Sequence, residues 1–159
     1  MAKVFTTPLP AASRLWAQVG NADFIDGYAV ESHLSPIDAV RIGLTLPVWA
    51  SALLKLRNLI LKPFGLKTEA SDTGETAIFP MHHQDDRECI IGTDDTHLNF
   101  RICVFKQNEV IHMATWVHRN NWFGRLYLAV VMPFHVLIVR NAMRRIAAAS
   151  SIASTPAAQ

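Results

Sequence analysis

The side chains of this sequence that could do chemistry are three polar groups predicted to lie in an apolar interior. Tyr127 and His135 fall within the apolar run LYLAVVMPFHVLIV, and Thr115 falls on the apolar face of a predicted strand. A buried hydroxyl or imidazole needs a hydrogen-bond partner. In one interpretation that partner is structural, and in the other the group orients a ligand or acts as an acid or base.

Two histidine clusters have metal-like residue types but do not complete a metal site. His97 and His118 are predicted to pair across a hairpin, but a structural zinc site normally takes four ligands and no thiol or acid is arranged to complete it. The other cluster is predicted to form a solvated turn and consists of His82, His83, Asp85 and Asp86. No glycine-rich phosphate loop occurs either. We therefore predict no metal and no cofactor.

The two cysteines do not have the spacing of a metal site and are not expected to form a disulfide. Strand parity places Cys89 on the core side of the predicted sheet and Cys103 on its outer side, so a bond between them is disfavoured. The first residues contain no continuous apolar stretch typical of a secretory signal. The expected location is the reducing cytoplasm.

Two of the three polar groups, Tyr127 and His135, lie on one long helix predicted over residues 121–149. Asn120 and Asn121 can cap its start, because a short amide side chain satisfies backbone donors of the first turn. Arginines near its C-terminal end interact favourably with the helix dipole. Pro133 should bend the helix without ending it, since the apolar pattern continues beyond this residue.

The same helix is apolar almost all the way round over residues 126–139, which requires burial in protein or in lipid. The run is about 21 Å long, whereas a bilayer core of about 30 Å usually needs about 20 residues. We therefore predict burial in protein and no transmembrane span. A role at a membrane surface stays open, because Arg125 and Arg140 bracket the run.

Shorter helices and a sheet are predicted to cover this long helix. Ser35 before Pro36 indicates the start of one short helix. A second should occupy residues 47–62 with an apolar stripe that includes Trp49, and a third is expected near residues 13–19. Strands are predicted over residues 22–32, 73–80, 87–93, 96–106 and 109–118.

The last two strands are predicted to form a hairpin with Gln107 and Asn108 at its turn, which determines every facing pair. The inner face then pairs Val104 with Ile111, Ile102 with Met113, Phe100 with Thr115 and Leu98 with Val117. This apolar face should pack on the long helix. The outer face, which carries Trp116, is expected to face solvent or an interface.

The charges are segregated along the chain. Residues 68–118 carry nine acidic and three basic side chains, whereas residues 119–159 carry five arginines and no acidic residue. The acidic and basic parts are expected to meet in the fold, where exposed pairs contribute modestly. A nucleic-acid surface usually needs a denser basic patch with interleaved aromatic residues, so no nucleic-acid partner is predicted.

Three stretches carry a resemblance to a known family: PVWASALLKLRNLILKPFGL, DDTHLNFRICV and FGRLYLAVVMPFHVLIVR. Over roughly residues 22–146 the chain resembles a bacterial family of unknown function, found alone or C-terminal to NAD(P)-binding short-chain-type oxidoreductases. More distantly it is similar to the START and polyketide-cyclase-like helix-grip superfamily, whose curved antiparallel sheet wraps a long C-terminal helix and encloses an apolar cavity. The resemblance transfers no NAD role and no catalytic residue.

The predicted architecture is a single α+β domain over residues 22–149. A curved antiparallel sheet of about five or more strands wraps the long C-terminal helix, and two shorter helices lie between the first and second strands. Residues 1–21 are expected to be a loosely ordered lead-in, and residues 150–159 a disordered tail.

Three functions from different classes remain open. The first is binding of an apolar or amphipathic small molecule between sheet and helix, and its predicted ligand-binding residues are Thr115, Tyr127, His135, Phe100, Met113 and Trp49. The second is an enzyme of cyclase, hydratase or isomerase type that uses Tyr127 or His135 as acid or base. The third is an interaction domain, either a homodimer through the face carrying Trp116 or a partner of an oxidoreductase.

Overall fold

The computed structural model of the protein describes residues 3–45 and 79–153. In chain order its elements are β1 (Phe5–Thr6), a 3-10 helix (Arg14–Gln18), β2 (Phe24–Ile25), β3 (Tyr28–Glu31), α1 (Pro36–Leu44), β4 (Met81–Gln84), β5 (Glu88–Asp94), β6 (Leu98–Gln107), β7 (Val110–Arg119) and α2 (Trp122–Ala153). The fold is therefore α+β, with an antiparallel sheet and a long C-terminal helix, as predicted. The second helix, predicted over residues 47–62, lies outside the described residues, as does most of the strand predicted over residues 73–80.

The described strands form one antiparallel sheet of seven strands, in the order β1-β3-β7-β6-β5-β4, and β2 pairs with a different stretch of β7. This count agrees with the prediction of about five or more strands, and residues 22–32 contribute two of them, β2 and β3, interrupted at Asp26 and Gly27. Two of the described strands were not predicted: β1 lies beside β3, and β4 pairs with β5. Strand β1 brings the N-terminal residues onto the sheet.

The hairpin of β6 and β7 has its predicted faces but not its predicted pairs. Its turn lies at Asn108 and Glu109, so Val104 faces Met113, whereas Ile111 was its predicted partner. Asn108 has a φ of 55°, a left-handed conformation that asparagine adopts more readily than most residues. Side chains alternate with a period of two, so a displacement of two residues leaves each side chain on its predicted face.

The inner face of the sheet forms the main core with α1 and α2. Ser35 caps α1 by accepting a hydrogen bond from the Asp38 N–H at 3.2 Å, and Pro36 occupies the first turn, as predicted. The buried members of this core include Val30, Val40, Cys89, Ile91, Val104, Ile111, Met113, Met143 and Ile146. The core thus joins both helices to the middle of the sheet.

Helix α2 is capped by Asn121, one of the two predicted caps, and ends later than predicted. The Asn121 Oδ1 accepts a hydrogen bond from the Gly124 N–H at 3.0 Å. A Cβ at Gly124 would lie 2.2 Å from the His97 carbonyl oxygen, so the close approach of the helix start to this loop requires glycine. The helix continues through Pro133 to Ala153. Ser150, predicted to lie in a disordered tail, is buried in the helix and its Oγ accepts a hydrogen bond from the His33 N–H at 2.8 Å.

The outer face of the sheet is covered by the chain's own N-terminal residues. Leu9 and Leu15 pack there with Cys103 and Trp116 in a second core. Trp116 is only 6% exposed. Of the two predicted alternatives, solvent or an interface, the first is therefore wrong, because the N-terminal residues contribute apolar side chains that bury this face.

The two cysteines lie on opposite faces of the sheet, as predicted. Cys89 belongs to the inner core and Cys103 to the outer one, and both are free thiols. Burial raises the pKa of Cys89 to about 11 and that of Cys103 still further. Since the thiolate is the nucleophile, both are unsuited to nucleophilic catalysis at neutral pH.

Candidate functional site

The described residues leave a cavity of about 250 Å³ between α1, the inner face of the sheet and α2. Its lining is mainly apolar and consists of Val40, Gly43, Leu44, Phe79, Ile91, Phe100, Ile102, Val104, Met113, Thr115, Tyr127, Val131, His135, Ile138, Val139 and Ala142. On α2 the lining residues flank Pro133 on both sides. Pockets of this composition, with few polar groups, are typical of sites for apolar small molecules.

Five of the six predicted ligand-binding residues lie together on this lining. Phe100, Met113 and Thr115 come from the sheet, and Tyr127 and His135 come from α2. The sixth, Trp49, lies outside the described residues. The five lie together because every second side chain of β6 and β7 lies on the same face of the sheet, and side chains three or four residues apart lie on the same face of α2.

A carboxylate that the sequence did not single out joins two of these residues. The Asp26 Oδ1 accepts a hydrogen bond from the Thr115 backbone N–H at 2.6 Å, and the Asp26 Oδ2 bonds to the His135 Nε2 at 2.7 Å. The Asp26 N–H in turn donates to the Thr115 carbonyl oxygen at 3.1 Å. Asp26 therefore links the break between β2 and β3 to both β7 and α2.

The local sequence explains why Asp26 reaches this position. Gly27 lies so close to the N-terminal strand that an added Cβ would stand 2.1 Å from the Thr7 carbonyl oxygen, and its own carbonyl accepts the Thr7 N–H at 3.1 Å. This contact fixes the chain where β2 gives way to β3. An acidic residue beside a glycine, inside a predicted strand, was the available signal for Asp26.

The pair formed by His135 and Asp26 is largely removed from solvent. Their side chains are 19% and 13% exposed, respectively, and the ring of Phe24 meets the imidazole edge-on with centroids 6.4 Å apart. A carboxylate bonded to one ring nitrogen fixes the orientation of a histidine and the position of its proton. The other ring nitrogen, Nδ1, makes no hydrogen bond to any described residue.

The Thr115 hydroxyl is the most informative polar group of the cavity. Thr115 is 7% exposed, and its Oγ1 is buried with no hydrogen-bond partner among the described residues. A buried polar atom without a partner costs about 1–3 kcal/mol. A ligand that brings a donor or acceptor to this atom would recover that cost.

The predicted histidine pair does not form. Because of the displaced hairpin register, His118 faces Asn99, and its Nδ1 bonds to the Asp23 carboxylate at 2.6 Å. His97 instead accepts a hydrogen bond at Nδ1 from the Asn121 side chain at 2.8 Å. The His118 ring therefore contacts the residue before β2, and the His97 ring contacts the residue before α2.

The other histidine cluster lies partly in a strand, and the prediction that all of it forms a turn is wrong. His82 and His83 belong to β4. The His82 Nε2 bonds to the Gly92 carbonyl oxygen at 3.1 Å, and the His83 Nε2 bonds to the Asp85 carboxylate at 2.8 Å. Within residues 3–45 and 79–153, no group of three or more potential ligands is placed to hold a metal ion.

A second buried carboxylate, Glu88, lies on the outer face of the sheet and was also missed. Glu88 is 2% exposed and accepts hydrogen bonds from the Ser13 hydroxyl and from the Arg14 N–H, the latter at 3.1 Å. The Cys103 thiol donates to it at 3.2 Å. These bonds attach the start of the 3-10 helix to β5, so we interpret Glu88 as an anchor for the N-terminal residues.

The comparison with known families finds a match. The model of a family described as Protein of unknown function (DUF2867) matches residues 18–142. Comparisons with curated proteins and with solved structures found no match. The matched range includes Asp26, Thr115 and His135.

Proposed function

The chain belongs to the DUF2867 family of proteins of unknown function, and we propose that it binds an apolar or amphipathic small molecule in the cavity between the sheet and α2. The observation that carries the proposal is the buried Thr115 hydroxyl, which has no hydrogen-bond partner among the described residues and lies in a mainly apolar lining. Most buried polar atoms of native proteins have a hydrogen-bond partner, so an unsatisfied hydroxyl on the wall of a cavity calls for an explanation, and a bound ligand provides one. A ligand with one polar end and an apolar body supplies what both parts of the lining need.

The dimensions of the cavity limit the ligand. Its volume of about 250 Å³ lies just below the range of about 300 to 1,000 Å³ typical of pockets for drug-sized ligands. The ligand is therefore a small molecule with a single short chain or ring. The resemblance to helix-grip proteins, which enclose an apolar cavity between sheet and C-terminal helix, supports this proposal.

The test has two parts. Native mass spectrometry of protein purified without detergent should detect a bound compound, and n-octanol should bind to the emptied protein by calorimetry. Thr115→Val should weaken n-octanol binding about fivefold, as expected for one lost hydrogen bond of about 1 kcal/mol. Thr96→Val is the matched control, because Thr96 lies exposed in the turn before β6.

Two results would count against binding. One is a protein that carries no compound and does not bind n-octanol. The other is an equal effect of the Thr115 and Thr96 substitutions on n-octanol affinity, since only Thr115 lines the cavity.

A second candidate function is acid–base catalysis of the cyclase, hydratase or isomerase type, and it is favoured by the contact between His135 and Asp26 at 2.7 Å. A carboxylate that orients an imidazole is a common arrangement for proton transfer. Tyr127 lines the same cavity and would provide a second group that can donate or accept a proton. In this function the ligand is the substrate.

The compound that co-purifies provides the test for catalysis. It should be converted when incubated with fresh protein, and conversion should be lost in His135→Gln although the compound still binds. His82→Gln is the control, because His82 lies in β4 and does not line the cavity. Binding without any chemical change in the compound would leave binding as the function and exclude this second candidate.

A further inference from the structure

The side of α2 that faces away from the sheet carries a row of exposed apolar side chains. This outer stripe consists of Trp122, Leu126, Val130, Phe134 and Leu137, which are between 44% and 74% exposed. Their spacing of three and four residues places them on one helix face, about 22 Å long. A contiguous apolar surface of this kind marks an interaction site.

The stripe belongs to a helix that is unusually exposed for its composition. By length and composition α2 could cross a membrane, and only 11% of its most apolar 18-residue window is buried. However, Val139, Met143 and Ile146 on its other side lie in the main core. Crossing a membrane would remove these residues from the sheet, whereas contact of the outer stripe with a surface would leave the core intact.

Three exposed arginines lie beside the outer stripe. Arg125, Arg140 and Arg144 are exposed, and none forms an ion pair with a described residue. The sequence of α2 contains no acidic residue. The stripe and its surroundings therefore favour a partner that is both apolar and negatively charged.

This charge pattern argues against two other occupants. A second copy packed antiparallel on the stripe would bring Arg125 of one chain near Arg140 of the other, with no acid on either helix to compensate. Residues 47–62 of the same chain are predicted to carry an apolar stripe, but they contain two lysines, one arginine and no acidic residue. Both occupants would oppose cations with cations.

We propose that the outer stripe docks α2 on the surface of a membrane rich in anionic lipids. The apolar side chains would enter the region below the headgroups, as in amphipathic interfacial helices, while the arginines bind lipid phosphates. Trp122, at the start of the stripe, is of the residue type enriched at the membrane interface. This surface is distinct from the cavity, which lies on the opposite side of the helix.

The experiment is co-sedimentation of the full chain with vesicles of phosphatidylcholine mixed with phosphatidylglycerol, compared with vesicles of phosphatidylcholine alone. Binding should require the anionic lipid and should weaken when salt is raised from about 0.1 M to about 1 M, because the Debye length falls from about 10 Å to about 3 Å. Arg125→Gln and Arg140→Gln should each weaken binding about fivefold. The double variant Leu126→Gln with Leu137→Gln should weaken it at least about tenfold.

Met81→Gln is the matched control, because Met81 is 46% exposed but lies in β4, away from α2. Circular dichroism and thermal unfolding check that every variant is folded. Binding that is unchanged in the double variant would overturn the proposal. It would also be overturned by a lack of vesicle binding together with a dimer, detected by light scattering, that the double variant dissociates. A third result would overturn it too: the natural protein does not bind vesicles, and the double variant is the only variant that loses thermal stability. The stripe would then be covered within the chain.

Discussion

At the residue scale, the Thr115 hydroxyl makes the ligand-free protein less stable than its packing allows. Its Oγ1 is buried without a partner among the described residues, and valine has nearly the same shape without the polar atom. We therefore expect Thr115→Val to stabilise the ligand-free protein by about 1 kcal/mol. Urea denaturation measures the change, and Thr96→Val should change the free energy of unfolding by less than about 0.5 kcal/mol. Destabilisation by Thr115→Val would show that the hydroxyl already has a partner.

Ionisation of Asp23, which directly precedes β2, makes the stability of the protein depend on pH. Burial of its carboxylate opposes ionisation, but hydrogen bonds from the Gly20 N–H, His118 and Trp116 outweigh burial and lower the Asp23 pKa from 3.8. A lowered pKa in the folded state stabilises the protein above the unfolded pKa, and this contribution is lost as the pH falls through the folded pKa. The Trp116 indole bond to this carboxylate is 2.9 Å long, so the group also holds the outer core.

We therefore expect Asp23→Asn to be less stable than the natural protein by about 2 kcal/mol at neutral pH. The difference should be complete above pH 3.8 and should shrink as the pH is lowered further, because the natural carboxylate becomes protonated. Urea denaturation at a series of pH values measures it. A difference that stays constant down to about pH 2 would show that ionisation of Asp23 contributes nothing.

The candidate site was predictable for the residues that obey a local period and not for those that do not. Thr115 follows from the period of two in β7, and His135 follows from its place in the apolar run of α2. Asp26 contacts His135 across 109 residues of sequence. No pattern within residues 22–32 encodes that partner, because the contact exists only once β2, β7 and α2 have assembled.

At the element scale, the hairpin shows how far a periodic argument reaches. The faces of β6 and β7 were correct because period two is set by the alternation of apolar residues. The facing pairs were wrong because the turn was placed at Gln107 and Asn108, one residue too early. Moving the turn by one residue shifts the pairing by two and leaves every side chain on the same face. Burial therefore does not distinguish the two registers, and the turn decides between them.

The break between β2 and β3 depends on Gly27. Gly27→Ala would place a Cβ 2.1 Å from the Thr7 carbonyl oxygen, which is backbone and cannot move aside without displacing β1. We expect a loss of at least about 2 kcal/mol, together with weaker ligand binding because Asp26 adjoins the displaced residue. For the free energy of unfolding Gly43→Ala is the control, since its Cβ would meet side chains and no backbone, the nearest being the flexible end of Met113 at 3.2 Å. Equal unfolding free energies for the two variants would contradict this explanation.

At the scale of the whole molecule, α2 has two different faces. Its inner face meets the sheet and lines the cavity through Tyr127, Val131 and His135, whereas the outer stripe meets none of the main core. A helix with its side chains is about 10 Å across. Ligand and membrane surface are thus proposed to contact opposite sides of one rigid element.

This arrangement predicts that the two sites are energetically independent. Thr115→Val should leave vesicle binding unchanged, and the double variant Leu126→Gln with Leu137→Gln should leave n-octanol affinity unchanged. Their effects on the free energy of unfolding should add within about 0.5 kcal/mol, as is usual for sites without shared contacts. A larger coupling energy in this double-mutant cycle would mean that α2 moves between two positions on the sheet. Occupancy of the cavity would then alter membrane affinity, and membrane contact would alter ligand affinity by the same factor.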